Sequence, residues 1–271
     1  MPKSFNVNNY LRKNMMPHIW CPGCGNGMVT SAFLRAVDDL KLDPNHTVIV
    51  SGIGCSSRVT GYLDFNTLHT THGRALAFAT GIKLANPELE VIVMAGDGDI
   101  TAIGGNHFLH ACRRNINITT IVFNNQIYGM TGGQTSPLTP RDIVSPTTPS
   151  GNMEEPLKIA ETAITTGATF VARGATFYPV QLEELIRQGI ENKGFSVVEV
   201  ITQCPVHYGR RSKIGGPVDM LYWQKENTIS MQAAQKLPPE ATKNKIVRGV
   251  LAMKQRPEYT DEYEKRFLAE E

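Results

Sequence analysis

Val91-Ile92-Val93-Met94-Ala95-Gly96-Asp97-Gly98-Asp99, followed by Ile121-Val122-Phe123-Asn124-Asn125-Gln126-Ile127, decides how this chain reads. Each half is an apolar run of strand length that ends in oxygen-bearing side chains. The interval between Asp97 and Asn125 accommodates one crossover helix, which is what two parallel neighbours need. Both side chains then emerge at the carboxyl edge of one sheet, where open α/β folds take their ligands. A carboxylate, an amide oxygen and a nearby main-chain carbonyl are hard donors, suited to Mg²⁺ that stays in contact with a phosphate. Gly96 and Gly98 permit a sharp turn, and a helix opening near Asp99 offers unpaired N–H groups to phosphate oxygens.

The alternation continues to either side. Val29, Phe33, Ala36, Val37 and Leu40 follow helical spacing, and residues 47–53 read as a strand closed by Gly52 and Gly54. An Ala-rich helix over 73–85 stops at Asn86-Pro87, before strand 90–95, a helix from about 100 to 114 and strand 118–123. Segment 126–154 is long and rich in Pro, Gly and Thr, the mark of a functional loop. Helix 155–165 with strand 168–172, then helix 180–192 with strand 195–201, complete a doubly wound, mainly parallel α/β sheet. Residues 1 to about 25 are polar and turn-rich. Past Cys204 the texture changes, with Arg210-Arg211, Gly215-Gly216-Pro217 and Pro238-Pro239, and no further strand–helix alternation is expected. The chain therefore divides into 1–204, bearing the motifs, and a C-terminal extension, 205–271, lying on that domain or on a partner subunit.

At 271 residues the chain can bury a substantial core. A net charge of +2 argues against nucleic acid as a partner, and no apolar run approaches membrane-spanning length. The opening residues 1–6 lack the apolar core of a signal peptide, so a cytoplasmic location is expected. Five cysteines, an odd count in a reducing compartment, point to metal or redox chemistry instead of a disulfide framework.

Cys21-Pro22-Gly23-Cys24 is a CxxC; Cys55 follows Gly52-Ile53-Gly54, and Cys204 follows strand 195–201. If both strands end at the edge that carries Asp97, four thiols converge beside the phosphate site. Four thiolates suit tetrahedral zinc or an iron–sulfur cluster, and spacing alone leaves both open. Cys55 and Cys204 also fit the role of buried hydrophobes. Cys112, on an Ala/Leu helix face, reads as core.

Gly96-Asp97-Gly98 with Asn124-Asn125 resembles the diphosphate-binding signature of thiamine diphosphate (ThDP) enzymes, which implies Mg²⁺ held by Asp97, Asn125 and the carbonyl of Ile127. Joined to Cys-Pro-Gly-Cys, Gly54-Cys55-Ser56 and Cys204-Pro205, it resembles the β subunit of 2-oxoacid:ferredoxin oxidoreductases. The likeness runs over about residues 17–210 and includes His69-Thr70-Thr71-His72-Gly73-Arg74-Ala75 and residues 125–134; it is nearest the 2-oxoglutarate branch. The resemblance implies a [4Fe–4S] cluster on Cys21, Cys24, Cys55 and Cys204, close to ThDP. It implies ThDP contacts from Ile53, Gly54, Cys55, Ser56, Gly98, Asp99, Gly129 and Met130, with His72 and Arg74 in the active site. From the residues alone, His72 equally fits a helix N-terminal histidine bonded to backbone, and Arg74 a partner for a nearby carboxylate. The implied reaction is oxidative decarboxylation of a 2-oxo acid, first of all 2-oxoglutarate, with coenzyme A trapping the acyl group and ferredoxin taking the electrons, or the reverse carboxylation. ThDP activation also needs a glutamate on a pyrimidine-binding domain, for which this chain has no room, so an α subunit is expected as obligate partner. Arg58, Arg74 or a partner residue would read the distal carboxylate. The alternatives are a cluster-free ThDP decarboxylase subunit and a zinc-stabilised, non-catalytic binding subunit.

Overall fold

Strands covered on both faces carry near-continuous apolar runs, because water reaches neither side. Residues 91–95 and 121–123 are fully buried, and this is where the sheet is centred. The computed structural model describes residues 5–267; residues 1–4 of the opening segment and 268–271 of the C-terminal extension lie outside the described residues.

Two short 3₁₀ turns lead into α1 (Asn26–Leu40), β1 (Thr47–Ser51), α2 (Val59–Tyr62) and β2 (Asn66–His69). Next come α3 (Ala75–Ala85), β3 (Glu90–Gly96), a π-helical turn over Asp99–Ile103, α4 (Gly105–Arg114) and β4 (Thr119–Asn124). A small antiparallel hairpin pairs β5 (Ile127–Tyr128) with β6 (Gln134–Thr135). The chain continues through α5 (Ile159–Thr166), β7 (Phe170–Ala175), α6 (Pro179–Glu191) and β8 (Ser196–Ile201) to a second π-helical turn, Pro205–Arg210. It ends in α7 (Pro217–Asn227), β9 (Thr228–Ser230), α8 (Met231–Ala234), α9 (Pro239–Thr242), β10 (Ile246–Met253) and α10 (Tyr259–Phe267).

The main sheet has the order β2-β1-β3-β4-β8-β7-β10-β9, and its first six strands are mutually parallel. Alternating side chains split the core in two. Ile49, Ile92, Met94, Ile121 and Phe123 meet α1 and α6 on one face. Val50, Val91, Val93, Ala95 and Val122 meet α3, α4 and α5 on the other. The chain leaving β1 crosses the first face, with Val59 in its core, while the chain leaving β3 crosses the second. Such a divergence between adjacent parallel strands opens a crevice at their carboxyl ends.

The doubly wound α/β reading holds, with two differences. β2, a four-residue polar edge strand, carries too little pattern to be seen. Past Cys204, where no further strand–helix alternation is expected, β10 pairs antiparallel with β7 and carries β9 alongside it. Its signal is broken by Arg248, by Gly249 at φ 125° and by a bulge between Val250 and Ala252.

Arg173 ties this added edge to the centre. Its Nε donates to Glu199 Oε2 at 2.7 Å, its Nη2 to Glu161 Oε2 of α5 at 3.0 Å and its Nη1 to the carbonyl of Val247 in β10 at 3.2 Å. Asn124 Nδ2 donates to the other oxygen of Glu199 at 2.7 Å. Removing one partner of a buried pair leaves an uncompensated charge, at a cost of about 3–5 kcal/mol, whereas exposed pairs contribute ~1 kcal/mol or less. Arg173→Met should therefore lower stability by about 3–5 kcal/mol in chemical denaturation, and Arg187→Met, on the outer face of α6, by less than ~1 kcal/mol. Equal losses would contradict this assignment.

Candidate active site

The exits of β1, β3, β4 and β8 lie side by side at the carboxyl edge of the sheet. Asp97, directly after β3, is 2% exposed, and its Oδ2 accepts from Ser136 Oγ at 2.5 Å. Burial pushes its carboxyl up to about 7, against the pull of the Ser136 and main-chain hydrogen bonds. Asn125 Oδ1 accepts from the Ile127 N–H at 3.1 Å, closing a turn that holds Gln126 at φ 62°. The two asparagines separate by strand alternation: Asn124 points back to Glu199 within the sheet, leaving Asn125 at the edge. Tyr128 folds over Gly98, its hydroxyl donating to the Gly98 carbonyl at 3.2 Å. A Cβ on Gly98 would stand 2.3 Å from the Tyr128 ring, so only glycine fits there.

Asp99 gathers three loops. Its Oδ1 accepts from the Gly73 N–H at 2.7 Å and the Ile53 N–H at 3.3 Å, and it also meets His72 Nδ1. Its Oδ2 is buried without a partner, against Gly52. His72 is thereby held by a carboxylate, and its side chain keeps 38% exposure. Arg74 Nη1 donates to the carbonyl of Ile103 at 3.0 Å, with no carboxylate partner among the described residues. Ser56 is buried with its hydroxyl beside Gly96, and Ile53 and Met130 stand exposed at the mouth, at 43% and 44%.

The four thiols predicted to meet come together here. From a Cβ position on Gly129, Cys204 Sγ is 3.4 Å away and Cys55 Sγ 3.8 Å. The Cys21–Cys24 loop is stitched to the exit of β8: the Gly25 N–H donates to the Gln203 carbonyl at 3.0 Å, and Gln203 Nε2 to the Gly23 carbonyl at 3.1 Å. Burial pushes the Cys24 thiol up to about 12, with Cys204, Cys55 and Cys21 adding to it, and the Cys55 thiol up to about 11. Cys204 is raised too, again by burial first. Such thiols stay protonated at neutral pH unless a cation draws off the proton. Among the described residues, no three His, Cys, Asp or Glu side chains close to the spacing of a single metal ion. Cys112 is fully buried in α4, the core role expected of it.

Three participants escaped the sequence reading. Ser136 and Tyr128 reach the site only because the 126–157 loop folds back. Trp20 donates from Nε1 to the Cys55 carbonyl at 2.6 Å and packs edge-on to Tyr62, tying the segment before Cys21 to the Cys55 loop. Its position directly before Cys21 was the available signal.

Residues 46–200 match the family described as thiamine pyrophosphate enzyme, C-terminal TPP binding domain. The chain is 50% identical, over 94% of its length and 95% of the relative's, to the 2-oxoglutarate synthase subunit KorB of Methanocaldococcus jannaschii. It is 57% identical to the subunit of the same name from Archaeoglobus fulgidus, over 81% of this chain and 80% of that one. Among solved structures it is similar to the 2-oxoglutarate:ferredoxin oxidoreductase of Magnetococcus marinus with 2-oxoglutarate, coenzyme A and succinyl-CoA bound. The TM-score is 0.86 at 33% identity, covering 97% of this chain and 90% of that one.

Two expectations follow from the geometry. A Cβ on Gly52 would stand 1.9 Å from Asp99 Oδ2, whereas one on Gly81, inside α3, meets nothing within 4 Å. Gly52→Ala should cost about 1–3 kcal/mol in unfolding free energy, and Gly81→Ala should stabilise by about 0.5–1 kcal/mol. The second concerns Asp97. In metal-free protein the folded chain holds this proton up to about pH 7, while the ordinary value is 3.8. The folded state binds more protons between the two values, so stability falls as pH rises from about 4 to about 7. Asp97→Asn should flatten that slope in denaturation midpoints taken across the window, and an unaltered slope would contradict the burial of this charge.

Proposed function

Because the chain belongs to the thiamine pyrophosphate-dependent 2-oxoacid:ferredoxin oxidoreductases, as a β subunit of the 2-oxoglutarate type, we propose that it holds ThDP, Mg²⁺ and a [4Fe–4S] cluster in this one pocket. The assembled enzyme then converts 2-oxoglutarate and coenzyme A to succinyl-CoA and CO₂, or runs the reverse carboxylation, exchanging electrons with ferredoxin. What supports this most is the position of Gly129, close to both the Cys55 and Cys204 thiols and on the loop that follows Asn125 and Ile127. That nearness supports a reading in which the loops that would bind phosphate and the loops that bear sulfur serve one site.

The donor sets fit the two groups. A buried carboxyl pushed up to about 7 lacks a neighbouring positive charge, and Mg²⁺ on Asp97, Asn125 Oδ1 and the Ile127 carbonyl would supply it. Cys24, Cys55 and Cys204, all buried enough that their thiols are raised, with Cys21 beside them, suit a cluster in which each thiolate binds its own iron. When bound, ThDP provides the electron sink for loss of CO₂, and the cluster accepts electrons one at a time.

The chain's own residues then bind and orient. The helical turn that opens after Gly98 would offer its leading main-chain N–H groups to the diphosphate. Ile53, Gly54, Cys55, Ser56, Asp99, Gly129 and Met130 wall the cofactor. Asp99 on Nδ1 fixes the His72 ring and leaves Nε2 as the nitrogen that takes or gives a substrate proton. Arg74, anchored on Ile103, holds the His72 loop beside the substrate. Arg58 Nε, buried without a partner three residues past Cys55, is the cation this chain offers to the distal carboxylate. The 1–204 unit carries both cofactors, and 205–271 extends it against the partner. An α subunit brings the pyrimidine-binding half and its glutamate, and the reaction takes place in the cytoplasm, where thiols stay reduced. Among the described residues no helix is long and apolar enough to cross a membrane.

Anaerobic purification with the partner subunit tests this. Iron and sulfide should each reach about four per chain. Viologen reduction should require coenzyme A and favour 2-oxoglutarate over pyruvate, and Cys204→Ser should lose iron. Zinc without iron, or full turnover by this polypeptide alone, would overturn the reading.

A further inference from the structure

Two of the four cysteine loops come to the surface at the same place. Cys21 is exposed, as are Pro22 and Gly23 after it, and Gly23 packs on Pro217 at the start of α7. A groove of about 490 Å³ runs along this seam, lined by Pro22, Pro205, Gly209, Arg210, Lys213 and Pro217. An occupant of the groove therefore rests on the residues that directly follow Cys21 and Cys204.

The rim is positive although the chain as a whole is close to neutral. Arg210 and Lys213 are exposed at the two ends of one turn, closed by the Lys213 N–H donating to the Arg210 carbonyl at 3.3 Å. Arg211 between them is used internally, its Nη1 donating to the Gly132 carbonyl at 2.7 Å. Asp219, the nearby acid, is committed to the start of α7, its Oδ2 accepting from the Gly216 N–H at 2.8 Å.

We propose that this groove, with Arg210 and Lys213 on its rim, is the docking surface for a small acidic one-electron carrier protein of the ferredoxin kind. The inference rests on the cluster reading above and goes further by placing the exit for its electrons. A cation pair on the rim steers an acidic partner by long-range attraction, acting on encounter rate more than on final affinity. Oxidation of one 2-oxo acid releases two electrons. They leave singly, each oxidising the reduced cluster by one electron and reducing one carrier molecule, so two carriers dock per turnover.

The test compares Arg210→Glu/Lys213→Glu with the parent in the fully assembled, cluster-loaded enzyme. An acidic ferredoxin is one acceptor and methyl viologen, which needs no docking surface, the other. At low salt the double variant should lose about tenfold or more in kcat/KM for ferredoxin, and the parent's steep decline with added salt should disappear. Viologen reduction should be unchanged. The milder Arg210→Gln/Lys213→Gln should give an intermediate loss if charge reversal disturbs folding. Lys265→Glu on α10, at the opposite edge of the sheet, should leave both rates alone.

An unaltered ferredoxin rate beside intact viologen reduction would overturn the docking surface while sparing the cluster. A variant that no longer holds the partner subunit would assign the groove to the subunit interface and overturn it as well. A parent enzyme without iron would overturn the proposed function and this exit with it.

Discussion

Parallel pairing is the constraint on which everything else in this chain depends. Because β1, β3, β4 and β8 run the same way and adjoin one another, their exits must lie along one edge, spanning roughly 15 Å. Segments far apart in sequence are thereby delivered to one place, with hard oxygen donors from β3 and β4 in the middle and sulfur donors from β1 and β8 outside them. Neither donor set needs a long loop to reach the other. The divergence of the chain at β1 and β3 opens the crevice between them.

The polar groups collected at this edge oppose burial, and the fold meets that cost in two ways. Beneath the site, the Arg173 guanidinium is answered by Glu199, Glu161 and the Val247 carbonyl, and Asn124 Nδ2 donates to Glu199, so the charged groups are paired within the protein while Asn124 Oδ1 alone is left without a partner. At the site itself the accounts stay open: Asp97 is short of positive charge, one oxygen of Asp99 has no partner, and both amide atoms of Asn26, two residues past Cys24, are orphaned. A buried polar atom without a partner is a strain that a closed structural network would have removed. Its concentration here, beside loops held rigid by Asp99 and by the Gln203 stitch, is what a preorganised binding site requires.

What was legible in the sequence follows from the same physics. β3 and β4 announced themselves because both faces are buried and their ends carry unusual side chains. The opposite directions of Asn124 and Asn125 follow from the alternation of successive side chains at the end of β4, although the sequence alone singled out Asn125 only by its interval from Asp97. β2, β9 and β10 were not readable: two are too short to show a period, and the third is bulged. The contacts of Ser136, Tyr128 and Trp20 were hidden for another reason, even though Trp20 stands directly before Cys21. Their contacts arise from how the 126–157 loop and the opening segment close over the edge, and no local spacing encodes a closure. The thiols present the mixed case: their convergence could be inferred from strand direction, but the wrapping of Cys21 and Cys24 onto Gln203 could not.

The short outermost strands have a consequence of their own. Sheets with long, flat margins recruit further strands, from copies of themselves or from unfolded chains. Here one margin is the four-residue, polar β2 and the other the three-residue β9, leaning on a bulged β10. Neither gives an incoming backbone enough consecutive hydrogen-bonding positions to grip. Lateral polymerisation is thus blocked at both flanks, and productive association is left to the loop-bearing rim.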